Sequence, residues 1–383
     1  MKKRNKKILT LFGTRPEIIK LAPIIREMEE REEGFQTVNV TSAQHTDLLY
    51  PFVRLFGIRL DHDLHVMVPK QTPNQVCARV LSLLEPILEK EQPDLILIQG
   101  DTTTALAGAL AGFHLHIPVG HVEAGLRSGN PLSPFPEEMN RRLITQLATY
   151  HFVATARNRG TLLAEGVSAQ RTFLTGNPVV DSLKMMLEKC SVSSTVACLL
   201  KRTLGLKRIV LTTHRRESFG EAMAENLKVL RSFVERHEDT ALLFPVHPNP
   251  IVVDLARTLL GGCPRIHLIE PMNYDEFIVL LSHSWLIVSD SGGIQEEAPS
   301  LGKPLLILRE NTERPEAVES SVARLVGGCA KRLGTMLEEV IEDGVWAKEI
   351  SKTENPFGRG DSGRRIVDII SRVLRGDNDA LQV

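Results

Sequence analysis

Short apolar runs that alternate with longer stretches of helical period constrain this chain more than any other feature. Residues 8–12, 38–41, 95–99, 119–122 and 151–154 read as buried strands with helix-like segments between them. The same alternation returns at 208–212, 240–246, 266–268, 285–289 and 304–308. Strands apolar on both faces belong to parallel sheets whose faces are covered by helices, so the pattern predicts an α/β protein with two Rossmann-like parallel sheets. The length agrees. At 383 residues the chain exceeds the roughly 250–300 at which a single hydrophobic core stops growing. Asn177-Pro178 breaks regular structure between the two series, which puts an N-terminal domain at 1–178 and a C-terminal domain at 179–361. A last helix over 362–375 is placed back on the first domain.

Composition removes several classes of function. The chain carries 46 Lys and Arg against 47 Asp and Glu, a net charge of -1, and so has no global field to hold a nucleic-acid backbone or an anionic membrane. A small-molecule partner is expected, with no nucleic acid. The five cysteines are an odd number without a C-x-x-C pair, which fits neither a disulfide framework nor a zinc cage and suits a reducing, cytoplasmic setting. The basic start is followed by apolar residues only from 8 to 12 before Arg15, too short for a signal peptide. No apolar run reaches the roughly 20 residues of a membrane span. Asp61-His62-Asp63-Leu64-His65 and His114/His116 lack metal-ligand spacing and read as surface clusters, so no metal is expected.

Polar residues with chemical capacity gather just after the predicted strands, where open α/β sheets bind ligands. Gly13-Thr14-Arg15-Pro16-Glu17 follows the first, with Pro16 suited to a first helical turn and Arg15 and Lys20 brought to the same edge. Asp101 follows the 95–99 run and fits a helix cap as well as a catalytic carboxylate. Glu123 and Arg127 follow the 119–122 run, and Glu137 comes after a proline-rich loop. In the second half His214 and His247 sit at strand ends, where a structural role is an equal alternative for His247. In Ser289-Asp290-Ser291-Gly292-Gly293 the glycines permit a tight turn. Its backbone N–H groups, with the next helix N-terminus, suit a phosphate, and a helical carboxylate one turn later suits ribose hydroxyls. A nucleoside diphosphate is the ligand this favours. A G-x-G-x-x-G at 358–363 follows no strand and opens no βαβ unit, so a dinucleotide is not expected there.

These residues lie in longer motifs: GTRPEIIKLAP at 13–23, QGDTTTALAGALA at 99–111, HVEAGLRSG at 121–129, SPFPEEMNRR at 133–142, TGNPVVDSL at 175–183, THRRES at 213–218, VHPNP at 246–250, SDSGGIQEEAPSLGKP at 289–304 and TERPEAVE at 312–319. Together they resemble the non-hydrolysing UDP-N-acetylglucosamine 2-epimerases over nearly the whole chain. The resemblance implies a glycosyltransferase-B-type fold of two Rossmann-like domains facing a cleft. It also implies a homodimer, no cofactor, and interconversion of UDP-GlcNAc and UDP-ManNAc for surface polysaccharides. By position it gives Arg15, Lys20, Asp101, Glu123, Glu137 and His214 to catalysis and the substrate, and Ser291, Gly292, Gly293 and Glu297 to the UDP. Arg127, His247, Phe277 and Arg314 are further substrate-binding candidates; Phe277 suits a place beside uracil or one in the core. Gln44-His45 matches a regulatory site of the family, but the following Thr46-Asp47, and Lys70-Gln71, depart from it. The same motifs also suit a hydrolysing 2-epimerase, an epimerase for UDP-2,3-diacetamido-glucuronate, a glycosyltransferase of the same fold, or a silent UDP-sugar sensor.

Inverting C2 of such a sugar is difficult because the C2–H bond has no carbonyl beside it. Breaking the C1–O bond to UDP first makes that proton removable, through a 2-acetamidoglucal. Arg15, Lys20, His214 and the 291–293 N–H groups suit the departing diphosphate. Asp101, Glu123 and Glu137 suit the proton, and the residues alone leave open which gives and which takes. Carboxylates that crowd one another should raise the pKa of one of them.

Overall fold

The computed structural model describes residues 5–31, 34–44, 46–189, 192–213 and 220–376. The chain divides into two compact units, the first formed by Met1–Ser182 and Phe357–Val383, the second by Leu183–Pro356.

The first unit is built on a seven-stranded sheet of β1 (Lys6–Phe12), β2 (Phe35–Thr41), β3 (His62–Asp63), β4 (Leu95–Gln99), β5 (Val119–Ala124), β6 (Tyr150–Val153) and β7 (Thr172–Leu174). Their order is β3-β2-β1-β4-β5-β6-β7, and every pairing is parallel. Strand β1 lies centrally, with Leu9 opposite Val38 on one side and Ile96 on the other, and all three are buried. The helix Pro73–Glu91 buries Val76, Val80, Leu84 and Leu88, a stripe at four-residue spacing against the sheet face carrying Leu9, Leu11, Ile96 and Ile98. The order reverses beside β1, so the turns after β1 and β4 diverge to opposite faces. That is the topological switch point, where such sheets leave room for a ligand.

The second unit repeats the plan with β8 (Lys207–Thr212), β9 (Thr240–Pro245), β10 (Ile266–Ile269), β11 (Leu286–Ser289), β12 (Leu305–Ile307) and β13 (Ala323–Leu325), in the order β10-β9-β8-β11-β12-β13. All its pairings are parallel too. Ile209, Leu211, Leu242, Phe244 and Val288 form one face of its core with Leu230, Phe233 and Leu337. Here the switch lies between β8 and β11, whose last residues, Thr212 and Ser289, stand opposite one another.

The helix Ser362–Val373 belongs to the first unit and packs on the helix Arg15–Glu30. Its N-terminus explains Gly363, the last glycine of the 358–363 pattern, while Gly358 and Gly360 take positive φ in the loop before it. The backbone N–H groups of Ser362 and Gly363 donate to the Asp181 carboxylate at 3.2 and 2.8 Å, so the protein's own anion fills the place a phosphate would need. A Cβ at Gly363 would sit 3.1 Å from the Pro23 carbonyl oxygen, and close helix packing is what this glycine serves. Among the described residues no helix is long and apolar enough to cross a membrane.

Candidate functional site

Three turns at the C-terminal edge of the first sheet, after β1, after β4 and at the end of β5, carry Arg15, Lys20, Asp101 and Glu123 of the residues singled out in the sequence. After β1, Thr14 caps the helix Arg15–Glu30 and Glu17 closes a capping box with it. Arg15 is exposed, its guanidinium 5.8 Å from the centre of the Phe52 ring. Lys20, one turn further, is buried and forms an ion pair with Glu123.

Glu123 occupies a bulge in β5, where pairing with β6 slips between Val122 and Ala124. Its φ is +64°, a left-handed conformation that costs a non-glycine residue of order 1 kcal/mol or more. The bulge turns its carboxylate to the sheet edge, where Lys20 and Gln99 hold it and Asn177 Nδ2 donates at 3.1 Å.

Asp101 follows Gly100, whose φ of +71° makes the turn after β4. Arg141 grips Asp101 Oδ2 through Nε at 2.7 Å and Nη2 at 2.6 Å, while Asn140 Nδ2 donates to the Asp101 backbone carbonyl at 2.8 Å. Burial pushes the Asp101 carboxyl above its usual range. Arg141 opposes this, and the charges of Glu123 and Glu137 reinforce it. The charges of Glu123 and Glu137 are therefore felt at Asp101. Glu137 is the half-buried first residue of the helix Glu137–Leu147.

Beneath these turns lie two buried histidines with ring centres 6.5 Å apart, and His121 Nε2 is 2.8 Å from the Gly100 carbonyl oxygen. Burial pulls His121 down from 6.5 to about 3 and His151 to about 4. Each is therefore neutral when folded and takes up a proton near 6.5 when unfolded. The stability this confers is complete above 6.5 and is lost as the pH falls toward the folded values. His121→Gln, whose amide can still donate to Gly100, is expected to remove the His121 part of this acid sensitivity while His151 keeps its own. The difference in unfolding free energy between wild type and variant should shrink by about 1.4 kcal/mol per pH unit as the pH falls below 6.5. Urea unfolding at several pH values measures it, and a constant difference would refute it.

The other candidates in this unit are held by partners of their own or lie outside the described residues. Arg127 is engaged bidentately by Glu165 at 2.9 and 2.7 Å and also donates to Thr145 Oγ1 at 2.9 Å. Gln44 accepts from Thr104 Oγ1 at 3.0 Å and lies against the backbone of Gly13. His45 lies outside the described residues, as does His214 of the second unit.

In the second unit Ser291 opens the helix Gly292–Leu301 without a side-chain cap, so its first N–H groups are not satisfied by the Ser291 hydroxyl. The Arg314 guanidinium lies over Gly292, where a Cβ would meet Nη1 at 2.8 Å. It is oriented by Glu296 Oε1, 2.5 Å from its Nε, and Thr312, which bonds Gln295, accepts the Arg314 backbone N–H at 3.0 Å. Helix N–H groups and a guanidinium thus converge on the same few residues, an arrangement that suits a phosphate. Glu297 is buried and accepts from Tyr274 Oη at 2.8 Å. Phe277 is half-buried on the same helix as that tyrosine, Tyr274–Ser282. His247 Nδ1 accepts the Asn249 backbone N–H at 3.2 Å, in the turn that caps the helix Pro250–Leu260.

Sequence reasoning passed over the residues that hold these groups: Glu17, Gln99, His121, Arg141, Asn177 and Glu296. Glu17 had a local signal, the Thr14-x-x-Glu17 spacing of a capping box. The others join segments far apart in sequence. Among the described residues no group of three or more His, Cys, Asp or Glu is arranged to hold a metal ion.

A family model described as UDP-N-acetylglucosamine 2-epimerase matches residues 26–371. The UDP-N-acetylglucosamine 2-epimerase of Salmonella typhimurium is 42% identical over 369 residues, covering 95% of this chain and 98% of that protein. The crystal structure of UDP-GlcNAc 2-epimerase from Neisseria meningitidis bound to UDP-GlcNAc superposes with a TM-score of 0.86 at 40% identity, covering 95% of this chain and 99% of that one. The S. aureus MnaA structure with UDP gives 0.88 at 38% identity, covering 97% of each chain.

Proposed function

The chain belongs to the UDP-N-acetylglucosamine 2-epimerase family, and from that premise we propose that it interconverts UDP-GlcNAc and UDP-ManNAc without releasing free sugar. The C1–O bond breaks and its electron pair leaves with UDP, while a carboxylate takes the C2 proton, giving 2-acetamidoglucal. UDP then adds back to C1 as a proton returns to the opposite face of C2, so atoms and charge balance over the cycle.

One observation carries this assignment: the first sheet brings two acids to one edge in different grips, Asp101 held by Arg141 at 2.7 and 2.6 Å and Glu123 paired with the Lys20 ammonium, and burial raises the Asp101 carboxyl although Arg141 opposes it. Asp101 is accordingly the acid. Glu123, whose partner is the Lys20 ammonium, is the base, and Glu137 completes the set. The diphosphate is assigned to the N–H groups at Ser291–Gly293 and to Arg314 of the second unit. The bound ligands of the Neisseria and S. aureus structures support the substrate class.

Incubation with UDP-GlcNAc in heavy water, followed by NMR, tests the proposal. The expected product is UDP-ManNAc with deuterium at C2 and no free ManNAc. Free ManNAc would make the enzyme a hydrolase of the same substrate, and an epimer with hydrogen retained at C2 would exclude proton exchange with solvent.

A further inference from the structure

The mechanism above uses Lys20 and Asp101 and leaves Glu17 without a task. Its carboxylate is 1% exposed and takes four donors. Oε2 accepts the Gly13 N–H at 2.9 Å, the Thr14 N–H at 2.7 Å and the Thr14 hydroxyl at 2.8 Å. Oε1 accepts the Thr102 hydroxyl at 2.7 Å. The Thr14 N–H bond is the one a capping box requires, and the Gly13 N–H and Thr14 hydroxyl bonds stay within the same turn. The fourth does not. It reaches across 85 residues of sequence to the residue that follows Asp101, and no helix end needs it.

A cap also functions at the surface, whereas burial here pushes the Glu17 carboxyl up to about 7 against the pull of its hydrogen bonds. That is a desolvation cost a local cap would avoid. Thr102 has only one proton to give. Its oxygen accepts the Ala105 N–H at 3.0 Å as the N-cap of the helix Thr103–His114, and its hydrogen goes to Glu17. One buried side chain therefore joins the turn that bears Arg15 and leads to Lys20 with the turn that bears Asp101.

We propose that Glu17 is a positioning residue for the epimerase reaction, holding the Asp101 turn in register with the Arg15–Lys20 turn through Thr102. The inference rests on the function proposed above. Misplacing a reacting group by a fraction of an ångström to about 1 Å costs up to about 10²-fold in rate, without a matching loss of binding.

Glu17→Gln isolates the crosspiece. Its amide oxygen still accepts the three donors of the first turn, so the helix start survives. Its amide N–H₂ faces a Thr102 oxygen that already accepts the Ala105 N–H, so the short hydroxyl–carboxylate bond is replaced by at most a weaker neutral one in the reverse direction and the Thr102 hydrogen loses its acceptor. Initial rates with UDP-GlcNAc, UDP affinity by calorimetry and thermal midpoints are compared for wild type, Glu17→Gln, Thr102→Val, Thr102→Ser and the Glu17→Gln/Thr102→Val pair. Expected are a kcat about 10- to 100-fold lower for Glu17→Gln and for Thr102→Val, with KM and UDP affinity within about threefold of wild type. Thr102→Ser, which keeps the hydroxyl, should restore the rate. The double variant should be no slower than the slower single one, as members of one linkage are non-additive. A Glu17→Gln enzyme with wild-type kcat would overturn the proposal, as would equal losses of rate, affinity and thermal midpoint. A wild-type protein that turns over no UDP-GlcNAc would instead overturn the function first and the positioning role with it.

Discussion

Asp101→Asn is expected to lower turnover by about 10³-fold while leaving UDP affinity within about twofold, because it removes the proton and little else. Both donors of Arg141 that reach Asp101 aim at Oδ2, at 2.7 and 2.6 Å. An asparagine with its carbonyl oxygen at that position keeps both bonds, and the Asn140 bond to the backbone carbonyl is untouched. The fold should survive. What disappears is a carboxyl that burial and the neighbouring charges of Glu123 and Glu137 press toward its protonated form. General acid–base steps are worth about 10²–10⁴-fold, and the variant should lose most of that. Steady-state kinetics with UDP-GlcNAc and calorimetry with UDP separate the two effects. A kcat within tenfold of wild type would take Asp101 out of the reaction, and a parallel collapse of UDP affinity would make it a binding residue.

That contrast bears on what a linear sequence discloses. The long strands were legible because a run such as Leu95-Ile96-Leu97-Ile98 is apolar on both faces and every residue of it is buried. Strands β3, β7 and β13 were not. His62–Asp63 is two residues long, and Thr172–Leu174 and Ala323–Leu325 are three each, too short to display a period, and β3, β7 and β13 all stand at the edges of their sheets. Asp101, Glu123 and Glu137 were legible as acids after apolar runs, although Glu123, expected just past a strand ending at 122, lies inside β5 because the bulge carries the strand on to Ala124. The conformation that makes Glu123 useful was hidden, since nothing in His121-Val122-Glu123-Ala124 announces a bulge with a positive φ at a glutamate. The gripping residues were hidden for a different reason. Arg141 lies 40 positions from Asp101, and Asn177 lies 54 from Glu123, so only the folded sheet brings them together. The 358–363 glycines show the converse: a phosphate-binding pattern in letters whose helix N-terminus is already occupied by Asp181.

In the second unit the nucleotide grip should fail through a single methyl group. Gly292→Ala places a Cβ where the Arg314 guanidinium now lies, 2.8 Å from Nη1 and 3.2 Å from Cζ. Backbone conformation does not demand glycine there, since Gly292 is not among the glycines with positive φ. The clash is with the end of a flexible side chain, so the protein yields by moving Arg314 and not by unfolding. The moved guanidinium leaves Glu296, which orients it at 2.5 Å, and leaves the helix N-terminus where the diphosphate is assigned. A charge-assisted hydrogen bond contributes about 1.5–3 kcal/mol, so UDP affinity should fall about 10- to 100-fold. Gly293→Ala supplies a contrast, because its Cβ would find nothing nearer than Ser291 Oγ at 4.0 Å, and any loss it shows must come from the approach of the ligand itself. The decisive comparison is a cycle. Arg314→Ala should weaken UDP by a similar factor, and adding Gly292→Ala to it should cost little more, since the atom that was displaced is gone. Calorimetric affinities for the four proteins measure this. Losses that simply add would mean that Gly292 meets the phosphate directly and that Arg314 acts elsewhere.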